Sequence, residues 1–183
     1  MSVLEWIATL LGIACVALAA WRSVWTFPTG IVAVALLGVV VFEARLYSDA
    51  LLQLFFIAAN LYGWANWASA RQTTGVVAVA YLTPGARAMW LGGIVIAAVL
   101  WGAGMHRFTD ASYPWWDAGI ATASVAAQIL MAQRRVENWW LWIAVDLASI
   151  PLYVTKGLML FALLYLVYLG LAVAGLLAWR RAA

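Results

Sequence analysis

Charged residues are scarce in this sequence. Of its 183 residues only 9% are charged and 68% are hydrophobic, whereas a soluble domain has roughly 25% charged and 45–50% apolar residues. This composition excludes an ordinary soluble domain and predicts a chain embedded in a lipid bilayer. We expect the bilayer and a small molecule among its partners, and no nucleic acid.

Cysteine and histidine each occur only once, as Cys15 and His106. A single cysteine cannot form an intramolecular disulfide, and one residue of each type cannot supply the usual ligands of a bound metal. An enzyme would need a nucleophile beside a base, and His106 at the end of an apolar segment cannot pair with a serine in mid-membrane. The sequence also lacks a Gly-x-x-x-x-Gly-Lys-Ser/Thr run for ATP. We therefore expect a protein that is not an enzyme, without catalytic residues, metal or cofactor.

Long apolar segments, by contrast, are abundant. A helix needs about 20 predominantly apolar residues to cross the hydrocarbon core of a bilayer. The sequence therefore predicts an all-α integral membrane protein with seven transmembrane helices, at 2–21, 28–45, 49–70, 88–105, 115–133, 137–155 and 157–179. The connection at 71–87 is longer than the others and has room for a short interfacial piece.

The ten Lys and Arg residues divide unequally between the two sides of this topology. Seven fall on one side, namely Arg22, Arg71, Arg87, Arg134, Arg135, Arg180 and Arg181, and three on the other, namely Arg45, Arg107 and Lys156. Cytoplasmic loops carry an excess of Lys and Arg. The sequence therefore predicts an N-terminus outside the cell and a C-terminus inside.

The fourth segment, 88–105, has no polar side chain. A helix with nothing polar to shelter can face lipid all round, so we interpret it as a linker between two sets of three helices. A single linker helix returns the chain to its starting side, which makes the two sets parallel repeats. The predicted division is a first repeat at 1–71, a connection with the linker helix at 72–110, and a second repeat at 111–183.

Weak internal similarity supports this division. Three aromatic residues of the first half, Tyr47, Phe55 and Tyr62, match three of the second half, Tyr153, Phe161 and Tyr168, at a constant offset of 106. Aromatic-rich membrane sequences produce some such matches by chance, so the register rests on few positions.

The sixth segment carries a polar and aromatic stripe. On a helix, one face of 137–155 presents Trp139, Trp142, Asp146, Ser149 and Tyr153. A carboxylate near the centre of a membrane helix costs at least about 2.5 kcal/mol, so it persists only when it faces a bundle interior, a watery cavity or a positive ligand. The stripe therefore predicts a substrate site, with Asp146 favouring a cationic or hydrogen-bond-donating ligand.

Two more segments bring polar groups to the same interior. The third presents one face with Gln53, Asn60, Trp64 and Trp67, and the fifth offers Asp117, Ser124 and Gln128. Aromatic faces can stack a ring or bind a cation, worth roughly 0.5–2 kcal/mol.

Each of these residues also has a structural interpretation. The amides Gln53 and Asn60 can instead join helices through hydrogen bonds, and Trp139 can belong to an aromatic belt at the membrane surface. Pro151 interrupts the hydrogen bonding of the sixth helix, and serves either as a hinge for alternating exposure of the site or as a fixed bend.

Several short motifs resemble the PnuC family of vitamin transporters. They are Phe27-Pro28-x-Gly30-Ile31, Tyr47-x-Asp49-x-x-Leu52-Gln53, Asn60-x-Tyr62-Gly63-Trp64-x-x-Trp67, Trp139-x-x-Trp142 with Asp146, Pro151-Leu152-Tyr153 and Lys156-Gly157. The resemblance spans nearly the whole chain except 71–115.

The resemblance implies a three-plus-one-plus-three arrangement similar to that of the SWEET sugar transporters. It implies uptake across the bacterial inner membrane of a ring-cationic vitamin, most often nicotinamide riboside, by facilitated diffusion, with a cytoplasmic kinase trapping the product. Relatives carry thiamine or riboflavin, and some family members assemble as trimers. By the same resemblance, Trp139 and Trp142 are site tryptophans and Gln53 and Asn60 are site amides.

Other functions stay open on the residues alone. Lys156, the only lysine, lies at the start of the last segment rather than in its middle, which argues against a photoreceptor with a Schiff base. A sugar transporter, a membrane-embedded protein without transport activity and a ligand-free scaffold are further alternatives. A scaffold predicts no stabilisation by any vitamin.

Overall fold

The computed structural model describes residues 3–43, 47–110 and 112–183, and these residues form seven α-helices. The helices are α1 (Val3–Ala20), α2 (Thr26–Glu43), α3 (Tyr47–Thr74), α4 (Pro84–Phe108), α5 (Pro114–Ala132), α6 (Glu137–Thr155) and α7 (Met159–Arg180). Each helix overlaps one predicted apolar segment, which confirms the prediction of an all-α, seven-helix chain. Arg45, one of the three cations predicted on the outer side, lies outside the described residues.

Two of the described helices, α4 and α7, are long and apolar enough to qualify as membrane spans by length and composition alone. Shorter apolar stretches, Trp6–Ala20 and Thr26–Val40, lie within α1 and α2. Helices α3, α5 and α6 carry amide, hydroxyl and carboxyl side chains, which lower their mean hydropathy. Such helices can still cross a bilayer when their polar groups face the interior of a bundle.

Six of the described helices form a closed ring. In order around it, α1 contacts α2, α2 contacts α3, α3 contacts α5, α5 contacts α6, α6 contacts α7, and α7 contacts α1. Helix α4 contacts α5 alone and lies outside the ring. The buried residue of α4 is Gly102, where the missing side chain leaves room for the indole of Trp115.

The two halves of the ring are structural repeats. A residue of the first half has its equivalent in the second half a fixed number of positions further along the chain, and we name this number the repeat offset. It relates the start of α7, Met159, to the start of α3, Tyr47, and the end of α6, Thr155, to the end of α2, Glu43. The offset of 106 predicted from the aromatic matches is therefore wrong. It pairs the start of α3 with Tyr153, near the end of α6, because similar residue types in different helices happened to align.

The turns after α1 and α5 show the repeat offset in their hydrogen bonds. Arg22 and Arg134 both have positive φ, 56° and 61°. The backbone N–H of Arg22 donates to Ala19 O and that of Arg134 to Met131 O, at 3.0 and 2.9 Å. In both turns the backbone N–H of the next residue donates to the helix carbonyl just before that acceptor. This pattern is the common C-terminal cap with a left-handed residue.

Four buried aromatic rings close one end of the ring of helices. Phe27, Trp67, Trp139 and Trp179 are at most 1% exposed, and we name them the aromatic plug. Phe27 and Trp67 meet edge to face with centroids 4.9 Å apart, and Trp139 and Trp179 do so at 5.6 Å. The plug end is where α1, α3, α5 and α7 finish. The opposite end, with the connection between α6 and α7, is the far end.

Glycines make room for the plug. Gly63 on α3 faces the ring of Phe27, and Gly175 on α7 faces that of Trp139. A Cβ at either glycine would collide with the facing ring. The repeat offset relates both the glycines and the rings they face, so these contacts support the predicted division into two three-helix repeats separated by α4. The division and its likeness to SWEET transporters stay predictions.

The connection between α3 and α4 crosses the plug end, and we name residues 75–83 the strap. Its backbone pairs with the α5–α6 connection, since Ala80 N–H donates to Arg134 O and Val136 N–H to Ala80 O, both at 3.1 Å. Val77 and Val79 are buried against the plug. The strap ends where Thr83 accepts a hydrogen bond from Ala86 N–H and caps α4.

Candidate substrate site

Asp146 lies at the middle of α6 and is 3% exposed. Within the described residues, no side chain or backbone group forms a hydrogen bond or ion pair with its carboxylate. The hydroxyls of Tyr165 and Tyr168 on α7 lie close enough to interact with it electrostatically. The carboxylate therefore faces the interior of the ring rather than lipid, as the sequence predicted, and no cation among the described residues balances it.

Tyr165 and Tyr168, the two tyrosines near this carboxylate, belong to a cluster of three tyrosines. The ring of Tyr165 stacks on that of Tyr153 with centroids 5.2 Å apart, and meets that of Tyr168 edge to face at 5.9 Å. The hydroxyl of Tyr168 reaches across to α1, where Gly12 has no side chain to obstruct it. Stacked phenol rings and a carboxylate together can bind a flat cation.

Amides from α3 and α5 meet on the other side of the interior. Gln128 Nε2 donates to Asn60 Oδ1 at 3.3 Å, and Asn60 Nδ2 donates to Phe56 O at 2.8 Å. Gly30 on α2 lies against both Asn60 Oδ1 and the thiol of Cys15. These residues bring polar side chains of α1, α3 and α5 close together, and both amides keep unused hydrogen-bonding capacity.

The remaining predicted polar residues are also buried. Gln53 is 9% exposed beside Gly38 on α2, and Ser124 donates its hydroxyl hydrogen to Ile120 O at 2.8 Å within its own helix. Ser149 is fully buried, and its hydroxyl has no hydrogen-bond partner among the described residues. An unpartnered buried hydroxyl costs free energy, and Ser149 lies one turn from Asp146.

The tryptophans do not all accompany these polar groups. Trp67 and Trp139 lie in the plug, where Trp67 is held by a hydrogen bond from its indole N–H to Met131 O at 3.2 Å. Trp142 is half-buried and packs against the plug. Trp64 is 40% exposed and faces outward. The predicted stripe on α6 is thus divided by depth, with packed indoles near the plug end and polar groups toward the far end.

Two side chains of the interior, Tyr165 and Tyr168, were not among the predicted site residues. They are three positions apart on the seventh segment, a spacing that puts them on neighbouring parts of one helix face. The helical spacing that predicts one face for Asp146 and Ser149 on the sixth segment also predicts one face for these two tyrosines on the seventh.

Two grooves lie on the outer surface, away from these groups. A groove of about 430 Å³ runs between α2 and α3, lined by Trp25, Trp64 and Arg71 among others. A smaller one of about 170 Å³ lies between α1 and α7 toward the far end, with Thr9 and Phe161 in its walls. Pro151 lies within α6, which stays helical on both sides of it; its role as a hinge remains a prediction.

Comparison with known proteins gives consistent relationships. The family model described as nicotinamide mononucleotide transporter matches residues 2–181. The nicotinamide riboside transporter PnuC of Escherichia coli K12 is 26% identical over 208 residues, covering 100% of this chain and 87% of the relative. The riboflavin/roseoflavin transporter RibM of Streptomyces davaonensis is 28% identical over 181 residues, covering 96% of this chain and 83% of that one.

A solved structure has the same fold. The crystal structure of the vitamin B3 transporter PnuC superposes with a TM-score of 0.79 at 25% sequence identity, covering 98% of this chain and 83% of the other. The agreement extends over all seven helices rather than one half.

Proposed function

The chain belongs to the nicotinamide mononucleotide transporter family, and we propose that it imports nicotinamide riboside across the bacterial inner membrane. The similar proteins named for nicotinamide riboside support this substrate. Within the chain, the observation that carries the proposal is the carboxylate of Asp146, which is buried at the middle of α6, lies near Tyr165 and Tyr168, and has no partner among the described residues.

The chemistry of the interior suits this molecule. Its pyridinium ring carries a positive charge, which Asp146 balances, and its flat faces stack on tyrosine rings such as that of Tyr165. Its ribose hydroxyls can donate to and accept from the amides of Asn60 and Gln128 and the hydroxyl of Ser149. In this proposal the predicted indoles Trp67 and Trp139 close one end of the site, and Trp142 and Gln53 border it.

We propose facilitated diffusion as the mode of transport. The sequence has no nucleotide-binding run to couple the cycle to ATP hydrolysis, and a cytoplasmic kinase that phosphorylates the vitamin would trap it. The plug end faces the cytoplasm in this proposal, because the described cations concentrate there: Arg22, Arg71, Arg87, Arg134, Arg135, Arg180 and Arg181. Assembly as trimers is a further expectation from the family.

Riboflavin is the second candidate substrate, because RibM is 28% identical over 181 residues. Thiamine, with its cationic thiazolium ring, is a third. The charge of the ligand distinguishes these possibilities, since riboflavin is neutral and gains nothing from an ionised carboxylate.

Uptake into proteoliposomes tests the proposal with a matched pair of substitutions. Asp146→Asn removes the interior carboxylate, and Asp117→Asn makes the same change at the far end, where Asp117 pairs with Lys156 at 3.3 Å. We expect Asp146→Asn to lose nicotinamide riboside uptake about 100-fold, the effect of losing an ionic partner of about 2.7 kcal/mol, and Asp117→Asn to retain it. Equal uptake by both variants would remove Asp146 from the site, and uptake of riboflavin alone would favour the second candidate.

A further inference from the structure

The two halves of the ring are hydrogen-bonded to each other at or near the plug end. The indole of Trp67 on α3 donates to Met131 O on α5, and the indole of Trp179 on α7 donates to Ala19 O on α1. Asn66 Nδ2 adds a bond to Ala132 O at 2.8 Å. Ala19 O and Met131 O also accept the turn N–H groups of Arg22 and Arg134, and the two lone pairs of a carbonyl oxygen allow the second bond from the opposite half.

The strap connects the same two halves. On one side, Arg22 in the α1–α2 turn donates from Nη1 to Val77 O at 3.4 Å. On the other side, Ala80 pairs with the α5–α6 turn through two backbone hydrogen bonds. The strap thus joins the two equivalent turns that contain Arg22 and Arg134, and its buried valines cover the plug from outside.

One carboxylate holds the C-terminal part of the strap. Both oxygens of Glu137, the first residue of α6, lie 3.1 Å from Leu82 N–H. Glu137 Oε1 also accepts a hydrogen bond from Arg87 Nε at 2.8 Å, which ties the start of α4 to the same point. The Glu137 side chain is only 15% exposed, and hydrogen bonds to charged groups are among the stronger ones in proteins.

The far end has contacts within the second half. Its ion pair joins Lys156 to Asp117, both in the second half, and Lys156 also lies over the ring of Tyr113 from that half. A groove on the outer surface lies between α1 and α7 toward this end. Among the described residues, the strap and the indole hydrogen bonds join the halves at the plug end, and the Gln128–Asn60 bond joins them deeper in the ring.

We propose that Glu137 is a positioning residue for the transport cycle, holding the strap as a crossbar that keeps the plug end closed. The strap must leave the α5–α6 turn before the plug rings can separate and the interior can open on that side. This inference rests on the proposed function, because only a carrier needs to open both ends in turn.

Labelling of the single cysteine tests the crossbar without a substrate. The Cys15 thiol lies beneath the plug, beside Thr26 and Gly30. A charged maleimide added to inverted and to right-side-out membrane vesicles reports the opening of either end. We expect Glu137→Gln to raise the labelling rate about tenfold, as for loss of a charged hydrogen bond, in inverted vesicles only. Asp117→Asn, which breaks the far-end ion pair, is the control and keeps the wild-type rate in inverted vesicles.

A second variant distinguishes the loss of a hydrogen bond from misfolding. Arg87→Gln removes one partner of Glu137 but leaves the two contacts to Leu82 N–H, so we expect a smaller increase in the same vesicles. No increase in either vesicle type for either variant overturns the crossbar. An increase only in right-side-out vesicles supports the crossbar and overturns the proposed orientation.

A reversible disulfide between the strap and the α5–α6 turn tests the same step by a measurement of uptake. In a Cys15→Ser background, Ala80→Cys with Arg135→Cys introduces two thiols at the paired positions of the strap and the turn, which are near enough for a disulfide. We expect oxidation to lower uptake about tenfold or more and reduction to restore it. Equal uptake in the oxidised and reduced states overturns the inference. If the reduced variant and the wild type carry no vitamin, the proposed function fails, while the labelling result still judges the crossbar.

Discussion

The indoles of Trp67 and Trp179, which the repeat offset relates, contact each other with ring centroids 5.6 Å apart. Each donates its N–H to the last turn of a helix in the opposite half, at 3.2 Å to Met131 O and 3.0 Å to Ala19 O. The same offset relates the two acceptors. This reciprocal pair of hydrogen bonds fastens the halves of the ring at the plug end, and the repeat offset makes the two bonds equivalent.

The two indole hydrogen bonds should contribute similarly to stability. Trp67→Phe and Trp179→Phe each keep an aromatic ring but leave a buried carbonyl with one bond fewer, so we expect each to lower the free energy of unfolding by about 1–3 kcal/mol. Trp140→Phe is the control, because Trp140 is 55% exposed on α6 and should change little. Thermal unfolding in detergent provides the measurement. A large loss for one plug variant beside none for the other would contradict the equivalence of the halves.

The glycines under the plug should tolerate no side chain. Gly63→Ala and Gly175→Ala place a Cβ against the rings of Phe27 and Trp139, and overpacking a buried ring costs about 1–3 kcal/mol. Gly170→Ala on α7 has nothing within 4 Å of the added Cβ, so helix propensity should make it neutral or slightly stabilising. Melting temperatures of the three variants check this order. Unfolding of Gly170→Ala before Gly175→Ala would refute the packing at the plug.

The hydrogen bond between Gln128 and Asn60 can either hold α3 and α5 together or orient the two amides for binding the ligand. We expect Gln128→Leu to raise the KM for uptake about tenfold and to lower the free energy of unfolding by about 1–3 kcal/mol, because the buried Asn60 Oδ1 loses its donor. Ser124→Ala is the matched control, because that hydroxyl bonds its own helix. Unchanged uptake with a clear loss of stability would assign the pair to helix packing.

Binding of a vitamin should stabilise the protein directly. A ligand at about 100 times its dissociation constant adds about 2.7 kcal/mol to the free energy of unfolding. We expect nicotinamide riboside to produce this shift in the wild type and in Asp117→Asn, but not in Asp146→Asn. A thermal-shift screen that includes thiamine and riboflavin provides the measurement. The absence of a shift with every vitamin would favour a ligand-free scaffold.

The sequence alone determined the helices and the direction that several side chains face. Apolar length located all seven helices, because a bilayer requires that length of each span. The helical period placed Asp146 and Ser149 toward the interior, because a polar group in a span must turn away from lipid. Both inferences depend on residues close in the chain and on the solvent around them.

Only the tertiary structure decided how deep each of these groups lies and what it contacts. A stripe on α6 predicted Trp139 and Asp146 as members of one site, yet Trp139 packs with Trp179 in the plug while Asp146 meets tyrosines of α7. The repeat offset, the reciprocal indole bonds and the hold of Glu137 on the strap join segments far apart in the chain. Periodicity predicts which face of a helix is buried but not which helix packs against that face. The neighbour depends on how helices that are distant in the sequence fit together.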